Sequence, residues 1–284
     1  MDTITKKIEM TIYCNFMIEL NDEFKFDSAH NIFFKDVHLD SDNDPDWLKY
    51  NKIEIEFIDK NKSGYYREFY ASGKLRRELP FISLGEENIY YAEGVEKIFY
   101  EDLDSEGNET YTISEENEYK QGERSGVWKT YSIDGGLMKE DYFNNIIDAK
   151  NGFYGIKQIE YFPSSKKLAF INEKDYGKAY YENGSIKAEW KNKNYFKDGN
   201  YVEYHENGKL KMKVTYINGE RDGIMSKFYE DGKLKEEWKY SNGIRIYVNK
   251  FYTNGIIKSE WLYNNGELAR KNEFDKSGNL KSKK

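Results

Sequence analysis

Along most of this chain, apolar and charged side chains alternate in runs of six to ten residues, and Asn-Gly or Asp-Gly pairs separate many of the runs. Period two is the pattern of a half-buried strand, and Asn-Gly accepts the positive φ that tight antiparallel turns demand. The most legible stretches are YYENGSIKAEW (180 to 190), YHENGKLKMKV (204 to 214), FYEDGKLKEEW (228 to 238) and FYTNGIIKSEW (251 to 261). Their glycines, Gly184, Gly208, Gly232 and Gly255, and then Gly278, lie 24, 24, 23 and 23 residues apart. A fixed period predicts an array of like units.

With each unit aligned on its glycine, earlier copies centre on Gly73 and Gly135, and one carries Lys166 in the glycine's place. An aromatic lies four before the glycine (Phe69, Tyr131, Tyr180, Tyr204, Phe228, Phe251), and Leu or Ile lies two after it (Leu75, Leu137, Ile186, Leu210, Leu234, Ile257). A large apolar residue recurs at plus six (Leu79, Trp190, Val214, Trp238, Trp261), and a second glycine at minus nine (Gly64, Gly126, Gly199, Gly223). Further turn signals at Asn218-Gly219, Asn242-Gly243 and Asn265-Gly266 return each outgoing strand into the next unit. Each unit reads as a hairpin, and the predicted fold is all-β: an elongated, single-layer antiparallel meander of stacked hairpins.

Strict alternation sorts the positions into two faces. Minus four, plus two, plus six and plus eight (Phe228, Leu234, Trp238 and Tyr240 in one unit) predict an apolar face; plus one, three and five (Lys233, Lys235, Glu237) predict a wet one. On that reckoning Tyr181, His205, Tyr229 and Tyr252 at minus three, and Trp128 at minus seven, also lie on the wet face. They are either a structural ladder or interface anchors.

The motif Y-x-x-N-G-x-[LI]-K, followed by an acidic residue and Trp at this period, resembles the MORN repeat variant of bacterial proteins in the antitoxin YwqK family. The resemblance covers roughly 64 to 284 and is clean from about 178. It implies a non-catalytic antitoxin or immunity protein that neutralises a toxin by covering its active or binding surface. Residues 85 to 120 are degenerate, and residues 1 to 60 show no repeat, so the expected organisation is an N-terminal cap over 1–60 and a hairpin array over 61–284.

Charge adds an asymmetry. Residues 1 to 120 hold 28 acids and 14 bases, whereas 121 to 284 hold 23 acids and 30 bases. Acid is densest in 86–118 and from Asp36 to Asp46, a surface that repels nucleic acid and attracts basic partners. The candidate contacts with a basic toxin are therefore Asp40, Asp42, Asp44, Asp46, Glu86, Glu87, Glu101, Asp102, Asp104 and Glu106, any of which is alternatively a solvated loop residue. The competing function is a scaffold or membrane-surface module that meets anionic lipid through Lys187, Lys211, Lys235 and Lys258, although Glu189, Glu237 and Glu260 offset that stripe.

Catalytic chemistry is sparse. The run from Asp40 to Asp46 has the alternate carboxylates of a calcium loop, but Pro45 and Asn51 stand where such a loop needs glycine and glutamate. His30 and His38 lack a metal-ligand spacing. Cys14 lies in an apolar run, which favours an inert thiol over a nucleophile served by His205. No phosphate loop or nucleophile elbow occurs. The expectation is a cytoplasmic protein with no enzymatic activity, cofactor or metal, no nucleic-acid partner and no membrane span, its oligomeric state open.

Overall fold

A computed structural model describes residues 4–14, 17–27, 32–36, 52–59, 62–103, 109–143 and 156–283. Among them the chain is all-β, with 24 strands and no α-helix. It packs as two compact units, Met1–Gly155 and Ile156–Lys284.

The first unit holds β1 (Ile4–Tyr13), β2 (Met17–Asp27), β3 (Ile32–Asp36), β4 (Lys52–Ile58), β5 (Ser63–Phe69), β6 (Leu75–Ile82), β7 (Ile89–Ala92), β8 (Gly94–Leu103), β9 (Glu109–Lys120), β10 (Glu123–Arg124), β11 (Gly126–Tyr131) and β12 (Leu137–Phe143). From β1 to β7 each strand pairs antiparallel with the next. β7 then returns parallel to β1, pairing Thr11 with Ile89, Ile12 with Tyr90 and Tyr13 with Tyr91. Seven strands thus close on themselves, which removes the exposed edges an open sheet would present. The sequence places the start of the array at 61, but that position falls inside the β4–β5 hairpin, whose strands pair from Lys52–Phe69 to Ile58–Ser63. The described part of 1–60 is therefore barrel wall.

Alternate residues of these strands point inward. Ile12, Ile55, Leu79 and Ala92 are fully buried, and Phe57, Phe81 and Tyr90 meet edge-on or tilted at 5.0 to 5.8 Å between ring centroids. Each such side chain contributes about 1.5–3 kcal/mol by leaving water. Gly64 is glycine for this reason: a Cβ there would lie 2.7 Å from Cζ of Phe81 and 2.1 Å from the Glu56 carbonyl oxygen.

Closure ends where β6 changes partner. Its last residues pair with β7, but Arg77 and Glu78 pair with Ile98 and Lys97 of β8. Between β7 and β8, Gly94 takes a φ of +98°. The kink hands the outer edge from β1 to β9, and β8 and β9 run on as a long hairpin. This is why 85–120 lacks the repeat's plus-two leucine.

At that junction Arg77, Glu68, Glu96 and Asn117 are all at most 5% exposed. Arg77 Nε donates to Glu96 Oε1 at 2.5 Å, and its Nη1 lies 3.5 Å from Glu68 Oε1. Asn117 Nδ2 and the Tyr119 hydroxyl donate to Glu96 Oε2 at 3.1 and 3.3 Å, the Tyr66 hydroxyl donates to Glu68 at 3.0 Å, and Arg76 also pairs with Glu68. Burial opposes the Arg77 charge, yet Glu96 and Glu68 hold its pKa above the ordinary arginine value. Without Arg77, Glu96 would be a buried carboxylate with no cation among the described residues.

The second unit comprises β13 (Lys157–Tyr161), β14 (Leu168–Glu173), β15 (Tyr176–Tyr180), β16 (Ile186–Lys193), β17 (Phe196–Tyr204), β18 (Leu210–Ile217), β19 (Glu220–Phe228), β20 (Leu234–Ser241), β21 (Ile244–Phe251), β22 (Ile257–Asn264), β23 (Glu267–Phe274) and β24 (Leu280–Lys283). Each strand pairs antiparallel with the next, so this unit is an uninterrupted meander. Its two kinds of Asn-Gly make different turns. Asn218-Gly219 (φ +50° and +85°), Asn242-Gly243 and Asn265-Gly266 have both residues at positive φ, the two-residue turn matched to strand twist. The repeat glycine closes a longer loop in which it alone is left-handed: Gly232 N–H donates to Tyr229 O, and Tyr229 N–H to Lys233 O, both at 2.9 Å. There Asp231 accepts the Lys233 amide through its side chain at 3.0 Å. Lys166 substitutes for the glycine by adopting φ +56° itself.

A bulge follows each of these loops. Phe228 pairs with Leu234, but Lys227 pairs with Glu236, leaving Lys235 extra; the same shift recurs at Phe69, Tyr131, Tyr180, Tyr204, Phe251 and Phe274. An extra residue reverses parity. The faces expected from strict alternation are corrected accordingly: minus four and plus two share a side with plus five, and plus four, six and eight share the other with minus seven. Val214, Met225, Tyr240, Tyr201, Met212, Tyr216 and Trp238 form one cluster on that second side.

Arg77→Leu is expected to destabilise the chain by about 3–5 kcal/mol, because it strands the buried Glu96 carboxylate and takes from Glu68 one of its two arginines. Urea unfolding of the full chain measures this; a loss below about 1 kcal/mol would show the cluster to be solvated.

Candidate functional site

The recurrent minus-three aromatics are the joints between units. Tyr181, Tyr229 and Tyr252 donate their hydroxyls to the carbonyl oxygens of Tyr204, Phe251 and Phe274, each the minus-four residue of the next unit, at 2.8 to 2.9 Å. His205 Nε2 lies 3.1 Å from Phe228 O in the same relation, and Tyr70 reaches Phe99 O at 2.6 Å. The bulged plus-three lysines Lys187, Lys235 and Lys258 sit 5.4 to 5.8 Å from the centroids of the same tyrosine rings. Lys211, whose unit has histidine, pairs with Glu203 at 2.6 Å instead. The lysine stripe is thus engaged in holding the joints.

Trp128, expected on the wet face, is corrected to the opposite one. The bulge gives minus seven the parity of plus six, and the indole packs against the barrel core, its ring 5.2 Å from Tyr119 and 5.3 Å from Phe143. Its Nε1 donates to Glu118 O at 2.7 Å.

The acidic candidates separate. Asp40, Asp42, Asp44, Asp46, Asp104 and Glu106 lie outside the described residues, as do His30 and His38. Asp102 is on β8 opposite Thr110, and Glu101 pairs with Lys74 at 3.4 Å. Glu86 and Glu87 are exposed in the turn before β7, with Tyr91 donating to Glu86 at 3.4 Å. Glu87 lies on a groove of about 400 Å3 in the barrel wall, where Glu19 supplies a second carboxylate beside Thr11, Asn21, Asn88 and Ile89. Among the described residues neither Glu19 nor Glu87 has a cation within ion-pair distance. Glu19 went unflagged because 1–60 lacks a repeat; its signal is the exposed alternation Glu19, Asn21, Glu23 along β2.

The second unit carries a different surface, on the side bearing plus six and plus eight. Lys197 lies over Trp190, Tyr201 and Tyr216 at 4.7 to 5.5 Å, Arg221 over Tyr240 at 5.7 Å, and Arg245 over Trp238 and Tyr263 at 4.7 and 5.0 Å. Each cation is the second residue after a two-residue turn, a recurrence legible once the turns are aligned. Burial, then the Glu203 charge, pushes the Tyr201 phenol up to about 12, so it stays neutral. Farther along, burial raises the Glu236 carboxyl, but the Trp238 indole N–H (3.0 Å) and the Lys227 and Lys250 ammoniums outweigh it and hold the group below the ordinary range. The opposite side has a groove of about 510 Å3 lined by Val202, Lys213, Ile224, Ser226 and Glu237. Among the described residues no three His, Cys, Asp or Glu side chains gather as a metal site.

Two expectations follow. Tyr229→Phe removes one joint and is expected to cost about 0.5–1.5 kcal/mol, read by urea unfolding; an unchanged midpoint would reduce the bond to decoration. Glu236 has a lowered folded-state pKa, so its stabilisation is complete above the unfolded value and is lost as pH falls through the folded one. Glu236→Gln should flatten the fall of Tm below about pH 4; parallel curves for the two proteins would refute the assignment.

The family model described as MORN repeat variant matches residues 62–83, 197–218, 221–242 and 248–265, and each match falls on one hairpin of the structure. No curated protein matches the chain significantly. A solved porin-like protein from Bacteroides uniformis ATCC 8492 aligns over 88% of this chain and 92% of its own, at 8% identity and a TM-score of 0.14, too low to carry any argument. Among the described residues no helix is long and apolar enough to cross a membrane, which says nothing of strands. The hairpins β5–β6, β17–β18, β19–β20 and β21–β22 are the parts of the chain that the MORN repeat variant model matches.

Proposed function

We propose that the chain is a non-catalytic protein-binding partner of the antitoxin or immunity type, which neutralises a toxin by covering a basic active or binding surface. The observation that carries this reading is the barrel-wall groove, where Glu19 and Glu87 stand without cation partners beside Asn21, Asn88 and Ile89. An unneutralised carboxylate pair in an open groove suits a lysine or arginine, whose charge it can pair. The wider charge agrees, since residues 1–155 hold 33 acids against 18 bases, and such a field speeds encounter with a basic partner. Glu189, Glu237 and Glu260, which offset the lysine stripe, weigh against the lipid-binding alternative.

The test uses the full chain as bait in lysate of its native cells, beside the double variant Glu19→Lys, Glu87→Lys. One stoichiometric basic protein is expected on the wild type, released by salt and bound about tenfold more weakly by the variant. Expressed alone, that protein should arrest growth, and co-expression of the chain should relieve the arrest. A captured protein without toxicity, or equal capture by the variant, would overturn the reading.

A further inference from the structure

The side of the second unit that bears plus six and plus eight offers donors and charge but few acceptors to meet them. Lys197, Arg221 and Arg245 recur one per hairpin, and among the described residues none has a carboxylate within ion-pair distance. Their partners are aromatic: Arg221 Nε donates to the Tyr216 hydroxyl at 3.4 Å and Arg245 Nη1 to that of Tyr263 at 3.1 Å. Two further donors on this side, Arg245 Nε and Trp261 Nε1, are buried with no hydrogen-bond partner. This side thus carries cations and spare donors in excess of the acceptors that meet them.

Spacing defines what suits it. Successive cations sit two strands apart, on strands β17, β19 and β21, which sets them about 9.5 Å from one another across the sheet. A polypeptide in the polyproline II conformation rises about 3.1 Å per residue with three residues per turn, so every third side chain falls on one face and meets the next cation. Residues 156–284 hold 26 bases against 18 acids, which favours an acidic ligand. Single-stranded nucleic acid suits the surface less well. Its phosphates follow at about 3.4 Å along a stacked strand, crowding several charges onto each cation. The rings it would stack on are in use too, since Lys197, Arg221 and Arg245 already lie over them.

We propose that this side of the second unit docks an acidic polypeptide in the polyproline II conformation lying across the strands, with a carboxylate at every third residue received by Lys197, Arg221 and Arg245. This surface is separate from the acidic groove, and either assignment stands without the other.

The probe is a fluorescein-labelled peptide (Ser-Gly-Glu)5, compared with an isomer whose five glutamates are contiguous, by anisotropy against the full chain at 0.15 M salt. The every-third-residue peptide is expected to bind about tenfold more tightly, and the triple variant K197Q/R221Q/R245Q to lose about tenfold. The isomer comparison uses the unaltered protein, so it holds even where the variant folds poorly. Equal affinity for the two isomers overturns the register, and an unaffected folded variant overturns the site. Tighter binding of a fifteen-residue oligothymidylate, or of phosphatidylserine vesicles, than of the spaced peptide assigns the surface to nucleic acid or lipid and likewise overturns the proposal.

Discussion

One extra residue after each repeat loop governs the layout of these hairpins. Because Lys235 and its equivalents have no partner across the strand, every side chain beyond them changes sides relative to strict alternation. Trp, Tyr, Val and Met of successive units thereby gather on one side, and the minus-four aromatics on the other. The bulged residue also points a lysine at the minus-three tyrosine of its own unit, whose hydroxyl reaches the next. Turn chemistry, cross-strand parity and the joint between units are consequences of a single insertion, and for that reason the period is kept so closely.

The two units meet the exposed-edge problem differently. In the first, a parallel return of β7 onto β1 closes seven strands around Ile12, Ile55, Leu79 and Phe81. Closure gives a dry interior, so inward positions are aliphatic or aromatic and Gly64 must admit a ring. In the second the sheet stays open, and no interior exists to hide its rings. Cations cover them instead, with lysine and arginine lying over tryptophan and tyrosine where a globular core would place another aliphatic layer. A face dressed in this way is half-solvated and charged, the condition for recognising another molecule without collapsing on itself.

Where the ring ends, a strand must exchange one neighbour for another, and polar groups are buried at the exchange. Arg76, Arg77 and two glutamates neutralise one another there, with Tyr66, Tyr119 and Asn117 satisfying the remaining lone pairs. Such a cluster adds less net stability than an apolar replacement of equal volume would, but it penalises any register that separates its members.

The chain's local chemistry determined a good deal without help. Alternation and glycine spacing specify hairpins, the turn residues specify where strands reverse, and these depend only on neighbours along the chain. Lys166 shows that even a missing glycine leaves the turn in place when flanking strands hold it. Three things were decided only in three dimensions. The side chains sharing a face followed from a bulge, which no alternation count contains. The fate of 1–60 followed from the pairing of β1 with β7, two segments some 75 residues apart whose contact depends on the twist and length of everything between them. The grouping of Glu19 with Glu87, and of Lys197 with Arg221 and Arg245, followed from strand register, because residues distant in sequence become neighbours only when the ladder between them is laid down.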